Sequence, residues 1–365
     1  MKKTLIATAV GMTLCVPALA ATEFTGDKID GVPVISKLDV SDLAAGKTHR
    51  FFFKGSENGI GETFYVPVVV AKGAKDGKKL VLNSGNHGDE VNGVRVVQKV
   101  MAGIDPQKLT GTVIGVTGSN PNAINRITRE WEGYNDGGFS QNFNRLFPGK
   151  ADGTAQEQHA YRMWNNLWKG NADVLIDMHT QSTGTTFPFF IYADYRNPVV
   201  VRMAELFPAD QIKKDPGEKG STETEFVSAG LPAMTVELGN PRAFDPDMVS
   251  RGVEGTRNVM IDFGMISGKI GRTTKTQKTY FGNDMANVRT TQGGYAEVLV
   301  KLGDDVKKGQ KVAVQLNRFG DVVKEYTAPV DGKVLSTGSD AVREARGLLV
   351  RILTRNPDPK CDKGC

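Results

Sequence analysis

Apolar and polar positions follow four successive patterns along the chain, and each predicts a different kind of structure. The first twenty residues carry Lys2 and Lys3, an apolar run from Leu5 to Val16, and the small residues Ala18 and Ala20 around Leu19. This is the pattern of a secretory signal peptide over 1–20, cleaved near Ala20. The alternative is an ordinary buried helix. The run is too short to span a bilayer, and no later stretch offers a membrane span. Cys15 follows Met12-Thr13-Leu14 with no small residue directly before it, so no lipoprotein site is read.

Residues 21–75 form a strand-rich segment, in which Arg50-Phe51-Phe52-Phe53 and Phe64-Tyr65-Val66-Pro67-Val68-Val69-Val70 are aromatic and β-branched runs broken at Gly59-Ile60-Gly61. From 76 to 285 short apolar strands alternate with helical spacing. Strands are predicted at 79–83, 112–116, 174–178 and 233–237. Helices are predicted at 91–102, where Val91, Val94, Val97 and Met101 share a stripe, and at 155–168. Such alternation indicates an α/β domain with a mostly parallel or mixed sheet flanked by helices, whose functional groups gather at strand ends. From 286 to 355 the strands at 296–300, 312–314 and 347–353 are separated by glycine turns and predict a small all-β unit.

Composition narrows the function. The chain has 365 residues, enough for a large domain plus a smaller one. Its formal net charge is +5, and loss of Lys2 and Lys3 lowers it by two. The basic residues are scattered and not interleaved with aromatics, so no nucleic-acid partner is expected. Beyond Cys15, the remaining cysteines are Cys361 and Cys365, in a tail over 356–365. In an oxidising compartment they read as a small disulfide loop, with a two-ligand metal tail as the rival reading.

The candidate chemistry begins with the histidines His49, His87, His159 and His179. His87 precedes Glu90 by three residues on a turn entering a predicted helix, a spacing that brings imidazole and carboxylate to one point. His179 ends a strand in Asp177-Met178-His179-Thr180 and offers a third ligand. Two histidines and one glutamate leave a fourth position open on a tetrahedral zinc, as catalysis requires. Glu237, after the strand 233–237, is either half of a buried ion pair or a functional carboxylate; beside such a metal it is the natural proton acceptor for water. Arg129 and Arg145 either polarise a carbonyl and grip a carboxylate, or are exposed loop arginines.

Five ordered motifs over about 78–285 resemble the succinylglutamate desuccinylase and aspartoacylase family, a branch related to zinc carboxypeptidases. They are Gly85-Asn86-His87-Gly88-Asp89-Glu90, Asn120-Pro121 with Arg129, Asn142-Phe143-Asn144-Arg145-Leu146-Phe147, Asp177-Met178-His179-Thr180, and 231–239 (Leu-Pro-Ala-Met-Thr-Val-Glu-Leu-Gly). The resemblance implies one zinc ion per chain, held by His87, Glu90 and His179. It implies Glu237 as the general base and Arg129 as the group that polarises the scissile carbonyl. Asn144 and Arg145 then bind the substrate's free carboxylate.

The chain departs from the family at two places. Asn142 stands where the family often has Asp, a position that orients a ligand histidine. Residues 130–141 form a longer, Gly-rich insertion expected to lie against the substrate pocket. In the all-β unit, 302–310 and 328–334 resemble halves of a biotinyl/lipoyl-type barrel, yet Asn317-Arg318-Phe319-Gly320-Asp321 lacks the lysine such carriers modify. The unit is therefore expected to be structural or pocket-capping. The reaction expected is deacylation of an N-acyl amino acid. Carboxypeptidase-like trimming of short peptides such as cell-wall peptides is the alternative within enzymes, and a non-catalytic binding protein is the alternative outside them.

Overall fold

The computed structural model describes residues 21–133 and 140–365. The proposed signal peptide over 1–20 and the centre of the Gly-rich insertion lie outside the described residues. One large mixed sheet carries the chemistry. Its strands are β1 (Glu23–Ile29), β2 (Val32–Lys37), β3 (Lys47–Glu57), β4 (Thr63–Lys72), β5 (Lys75–Ser84), β6 (Thr110–Val116), β7 (Val174–His179), β9 (Phe189–Ala193), β10 (Gln211–Lys214), β11 (Ala233–Leu238) and β12 (Tyr280–Gly282). A two-residue strand, β8 (Thr185–Thr186), lies between β7 and β9 in the chain but outside this sheet.

The spatial order is β1-β2-β3-β4-β6-β5-β7-β11-β9-β10-β12. The centre, β6-β5-β7-β11, is parallel. The strands between 21 and 75 continue the same sheet, because β4 pairs antiparallel with β6 from Val68–Val116 to Lys72–Thr112. The central strands are buried on both faces and read as continuous apolar runs, as parallel strands covered on both sides must.

Helices cover each face. On one side lie α1 (Val91–Ala102), α3 (Pro198–Glu205) and α5 (Pro246–Asp262), packed through Val96, Val97, Val100, Met203 and Val259. On the other lie α2 (Ala155–Arg162), which continues into a π-helical turn at Met163–Trp168, and α4 (Thr222–Ser228); Ala160, Leu167, Trp168 and Phe226 fill that core. Helix α1 sits close over β7 because Gly93 has no side chain: a Cβ there would stand 2.6 Å from the Met178 carbonyl oxygen.

From Asp284 onward the described chain is almost entirely strand: β13 (Asp284–Arg289), β14 (Gly294–Val298), β15 (Asp305–Val306), β16 (Lys311–Leu316), β17 (Val322–Thr327), β18 (Gly332–Gly338), β19 (Val342–Arg343) and β20 (Leu348–Thr354). They form two small sheets around Val306, Val312, Val334, Val350 and Ile352. This unit is joined to the large domain by main chain and by side chains. Strand β8 pairs with β18 through Thr186–Thr337 and Thr185–Gly338, and Phe187, Phe190, Leu335 and Leu353 close a shared apolar cluster. Cys361 and Cys365 are joined in a disulfide.

Candidate metal centre and active site

Three strand ends and one loop build the site. After β5 the chain turns sharply at Gly85, whose φ of +78° favours glycine, and runs through His87 to Glu90, immediately before α1. The loop is pinned from below. Asn120 donates from its amide to the Asn86 carbonyl at 3.1 Å and caps the turn Pro121–Ile124. At Gly88 any side chain would collide with the Ala123 main chain. Asp89 accepts from the Thr183 amide and hydroxyl, at 3.0 and 2.8 Å, and so ties this loop to the one that follows β7.

His87, Glu90 and His179 converge. The two Nδ1 atoms are 3.3 Å apart; His87 Nδ1 lies 2.9 Å from Glu90 Oε1, and His179 Nδ1 lies 2.8 Å from Glu90 Oε2. A tetrahedral cation with bonds of about 2.0–2.1 Å separates its ligands by about 3.3 Å, so these donors already stand near the edges of one coordination polyhedron. All three residues are at most 3% exposed. Two imidazoles and a carboxylate, buried with their donor atoms this close together, fit a divalent metal.

The imidazoles are held in the tautomer that such a role needs. His87 Nε2 donates to Asn142 Oδ1 at 2.9 Å, an oxygen that also accepts from the Asn144 amide at 3.0 Å and is thereby fixed as the carbonyl end. His179 Nε2 donates to Asp177 Oδ2 at 3.0 Å. Each ring therefore presents Nδ1 to the centre. The three groups also act on one another's charge. Burial alone would raise the Glu90 carboxyl, but the neighbouring imidazoles hold it well below the usual carboxylate range. Burial lowers His87. Burial also opposes a charge on His179, yet Asp177 and Glu90 raise it well above its usual value.

Glu237 stands beside this centre because of strand register: in the parallel pair β7–β11 it is the partner of His179. Burial, then the charge of Glu90, push its carboxyl up to about 8. Its Oε2 is buried without a hydrogen-bond partner, and the side chain lines the cavity. Arg129 Nη1 donates to Glu90 Oε1 at 2.7 Å and to Ser182 Oγ at 2.6 Å, which places the guanidinium over the Glu90 carboxylate.

The cavity has a volume of about 590 Å³, enough for a small amino-acid derivative. Asn144 is buried in its wall, where Oδ1 accepts from the Thr222 amide and hydroxyl at 2.8 and 2.9 Å. Arg145 also lines it. Its Nε donates to Glu218 Oε1 at 2.8 Å, its Nη2 to the other carboxylate oxygen, and its Nη1 to the Asn144 carbonyl at 2.7 Å. The structure thus brings His87, Glu90, His179, Glu237, Arg129, Asn144 and Arg145 to one cavity, with Asn142 directly behind His87.

Sequence reasoning assigned no role to several residues of this site. Asp177 lies inside the Asp177-Met178-His179-Thr180 motif, and its spacing of two from His179 on a strand is the available signal. Ser182, Tyr192 and Glu223 line the cavity from segments with no distinguishing pattern, and Met285, Asn287 and Arg351 reach it from the all-β unit. The other histidines serve structure. His159 is fully buried, accepts from the Ser56 amide at Nδ1 and donates to the Ser119 carbonyl at 2.9 Å; His49 stacks on Phe51. In the described part of 130–141, Trp131 is buried in the core and bridges to Gln141.

Comparison with known proteins defines the class. Residues 76–262 match the succinylglutamate desuccinylase/aspartoacylase catalytic domain. The chain belongs to the succinylglutamate desuccinylase/aspartoacylase family. Over 280 residues it is 28% identical to an N-alpha-acetyl-L-2,4-diaminobutyric acid deacetylase of Halomonas elongata, covering 73% of this chain and 79% of that protein. Its fold is shared by the product-bound ectoine utilization protein EutE (DoeB) of Ruegeria pomeroyi, at 23% identity and a TM-score of 0.75 over 86% of this chain and 98% of that one. A succinylglutamate desuccinylase/aspartoacylase of Rhodobacter sphaeroides is similar at 21% identity and a TM-score of 0.74, over 88% and 98%. The protein is accordingly a hydrolase of a family that cleaves amide bonds.

Proposed function

We propose that the protein is an exported, zinc-dependent amidohydrolase that removes the acyl group from an N-acyl amino acid. The observation that carries this reading is the convergence of the His87, Glu90 and His179 donor atoms within 3.3 Å of their nearest neighbours, beside the unpartnered Glu237 carboxyl. Two nitrogens and one carboxylate are a donor set suited to a zinc site with an open position. The deacetylase named among the relatives supports an acylated amino acid as substrate.

Zinc in this site would supply a Lewis acid that acidifies water and polarises a carbonyl oxygen. The chain's own residues do the rest. Glu237 takes the proton of the attacking water and hands it on to the leaving amine. Arg129, already aimed at the centre, donates to the carbonyl oxygen as negative charge develops on it. Asp177 and Asn142 hold the two imidazoles in place throughout. The cavity walls fix the substrate so that the amide meets Glu237 in register.

Export is supported by the signal-peptide pattern of 1–20 and by the disulfide between Cys361 and Cys365, a bond favoured in oxidising compartments. Among the described residues, no helix is long and apolar enough to cross a membrane. The all-β unit acts as a wall of the pocket. The test is metal analysis of the mature protein followed by a screen of N-acetyl and N-succinyl amino acids against free peptides, with the released amine measured. Metal at one equivalent and amine release from the acyl amino acids are expected. Release from peptides alone would replace the deacylase with a carboxypeptidase, and a metal-loaded protein inert toward every compound would leave a binding protein.

A further inference from the structure

The guanidinium that the resemblance assigns to the substrate carboxylate is already satisfied. Arg145 engages Glu218 through Nε and Nη2 and spends Nη1 on the Asn144 carbonyl. The other cavity cations are also held. Lys213 pairs with Asp215 and donates to the Cys365 carbonyl at 2.8 Å, and Arg129 is bound to Glu90. Arg351 is different. Among the described residues it forms no ion pair: Nε donates to Asn287 Oδ1 at 2.8 Å, the side chain meets the Tyr192 hydroxyl, and Arg289 is a neighbour of like charge. No carboxylate is paired with it there.

The placement of Arg351 follows from strand alternation. On β20, Val350 and Ile352 point into the core of the all-β unit, so Arg351 and Leu353 point the other way. Leu353 joins the apolar cluster with Phe187 and Phe190, which presses that face of β20 against the large domain. Arg351 is thereby directed into the cavity, and Asn287, its register partner on β13, holds it by Nε. A guanidinium tethered at one edge and open at the other is prepared for bidentate contact with a carboxylate.

We propose that Arg351, contributed by the all-β unit and braced by Asn287 and Tyr192, holds the free carboxylate of the substrate in place of Arg145. This rests on the deacylase reading above. Arg351 is a specificity-determining residue and takes no part in bond cleavage. Glu223 and Glu237 also line the cavity without an ion-pair partner among the described residues, and neither is ion-paired with Arg351.

The experiment compares steady-state kinetics of the wild-type protein, Arg351→Ala, Arg351→Lys and Arg145→Ala on the best substrate of the N-acyl amino acid screen and on the same compound with its carboxylate converted to carboxamide. A charge-assisted bidentate contact accounts for about ten- to a hundredfold in affinity. KM for the acid is therefore expected to rise by about that factor in Arg351→Ala, with kcat and the carboxamide kinetics within about threefold of wild type. Arg351→Lys should recover part of the loss, and Arg145→Ala should retain the preference for the acid. An unchanged KM in Arg351→Ala, or an equal loss on acid and carboxamide, overturns the assignment and leaves the deacylase reading standing. A wild-type protein that cleaves no acyl amino acid overturns the reading itself.

Discussion

Asp177 and His179 occupy positions two apart on β7, so both side chains point to the same face of the sheet, and Asp177 Oδ2 lies 3.0 Å from His179 Nε2. Asp177 is itself fixed by the Asn83 amide at 2.8 Å and by Asn86 at 3.1 Å. The His179 imidazole is therefore oriented by a carboxylate that is oriented in turn. Replacing Asp177 with Asn should weaken metal binding by about 10–100-fold, as loss of such a support does. Competition with a graded chelator measures this, and unaltered affinity would remove Asp177 from the design.

Asn142 plays the same part for His87 without a charge. Asn142→Asp restores a carboxylate at 2.9 Å from Nε2, raises the basicity of the ligand nitrogen and should tighten metal binding by up to about tenfold. The same chelator titration checks it; the carboxylate keeps the acceptor that Asn142 Oδ1 offers to the Asn144 main chain, so weaker binding would refute the expected gain from charge.

Glu237→Gln keeps the shape of the side chain and removes its basicity. Metal content should stay at the wild-type level, because Glu237 is outside the converging donor set. Turnover should fall by about 10²–10⁴-fold, the usual contribution of a general base. Elemental analysis and initial rates on the same preparation decide the matter, and a variant that remains fully active would falsify the role.

Glu223 gives a prediction in pH. Burial raises its folded-state pKa to about 8, whereas the unfolded chain titrates near the ordinary carboxylate value. Between those values the native protein holds a proton that the unfolded chain has released. Stability is therefore lost as pH rises through this window, by up to about 1.4 kcal/mol per pH unit. Glu223→Gln removes this dependence. Its Tm should fall less than that of the wild-type protein between pH 5 and 8, and parallel Tm curves would refute the shift.

The most legible parts of the sequence were those with strong local periodicity. The helix expected at 91–102 is observed at Val91–Ala102, and the expected strand at 174–178 is observed at Val174–His179. The helix expected at 155–168 does form, but its second half is π-helical. Helix α5 escaped notice because Gly252 and Gly255 weaken its helical signal. Both glycines are there for packing: Gly252 faces Val96 and Leu238, and at Gly255 a Cβ would run into the Phe207 ring. The convergence of His87, Glu90, His179 and Glu237 was readable because each lies at a strand end or a helix start. Strand alternation on β20 fixes which way Arg351 points, but its arrival in the same cavity depends on how β8 and β18 dock, which no local pattern encodes. The engagement of Arg145 by Glu218 was hidden for the same reason.

The short join between β8 and β18 bears on how far this protein can be dissected. The loop that follows His179 carries Gln181, whose amide donates to Ser336 Oγ at 3.2 Å, and Thr186, whose hydroxyl meets that of Thr337 at 2.8 Å. A truncation after Asn283 would strip these partners from the rim of the cavity and expose Phe187 and Phe190 to water. The matching family segment ends at 262, yet grafting it alone onto another scaffold would transplant an unfinished enzyme. Recombination between relatives must therefore exchange the two parts as a set.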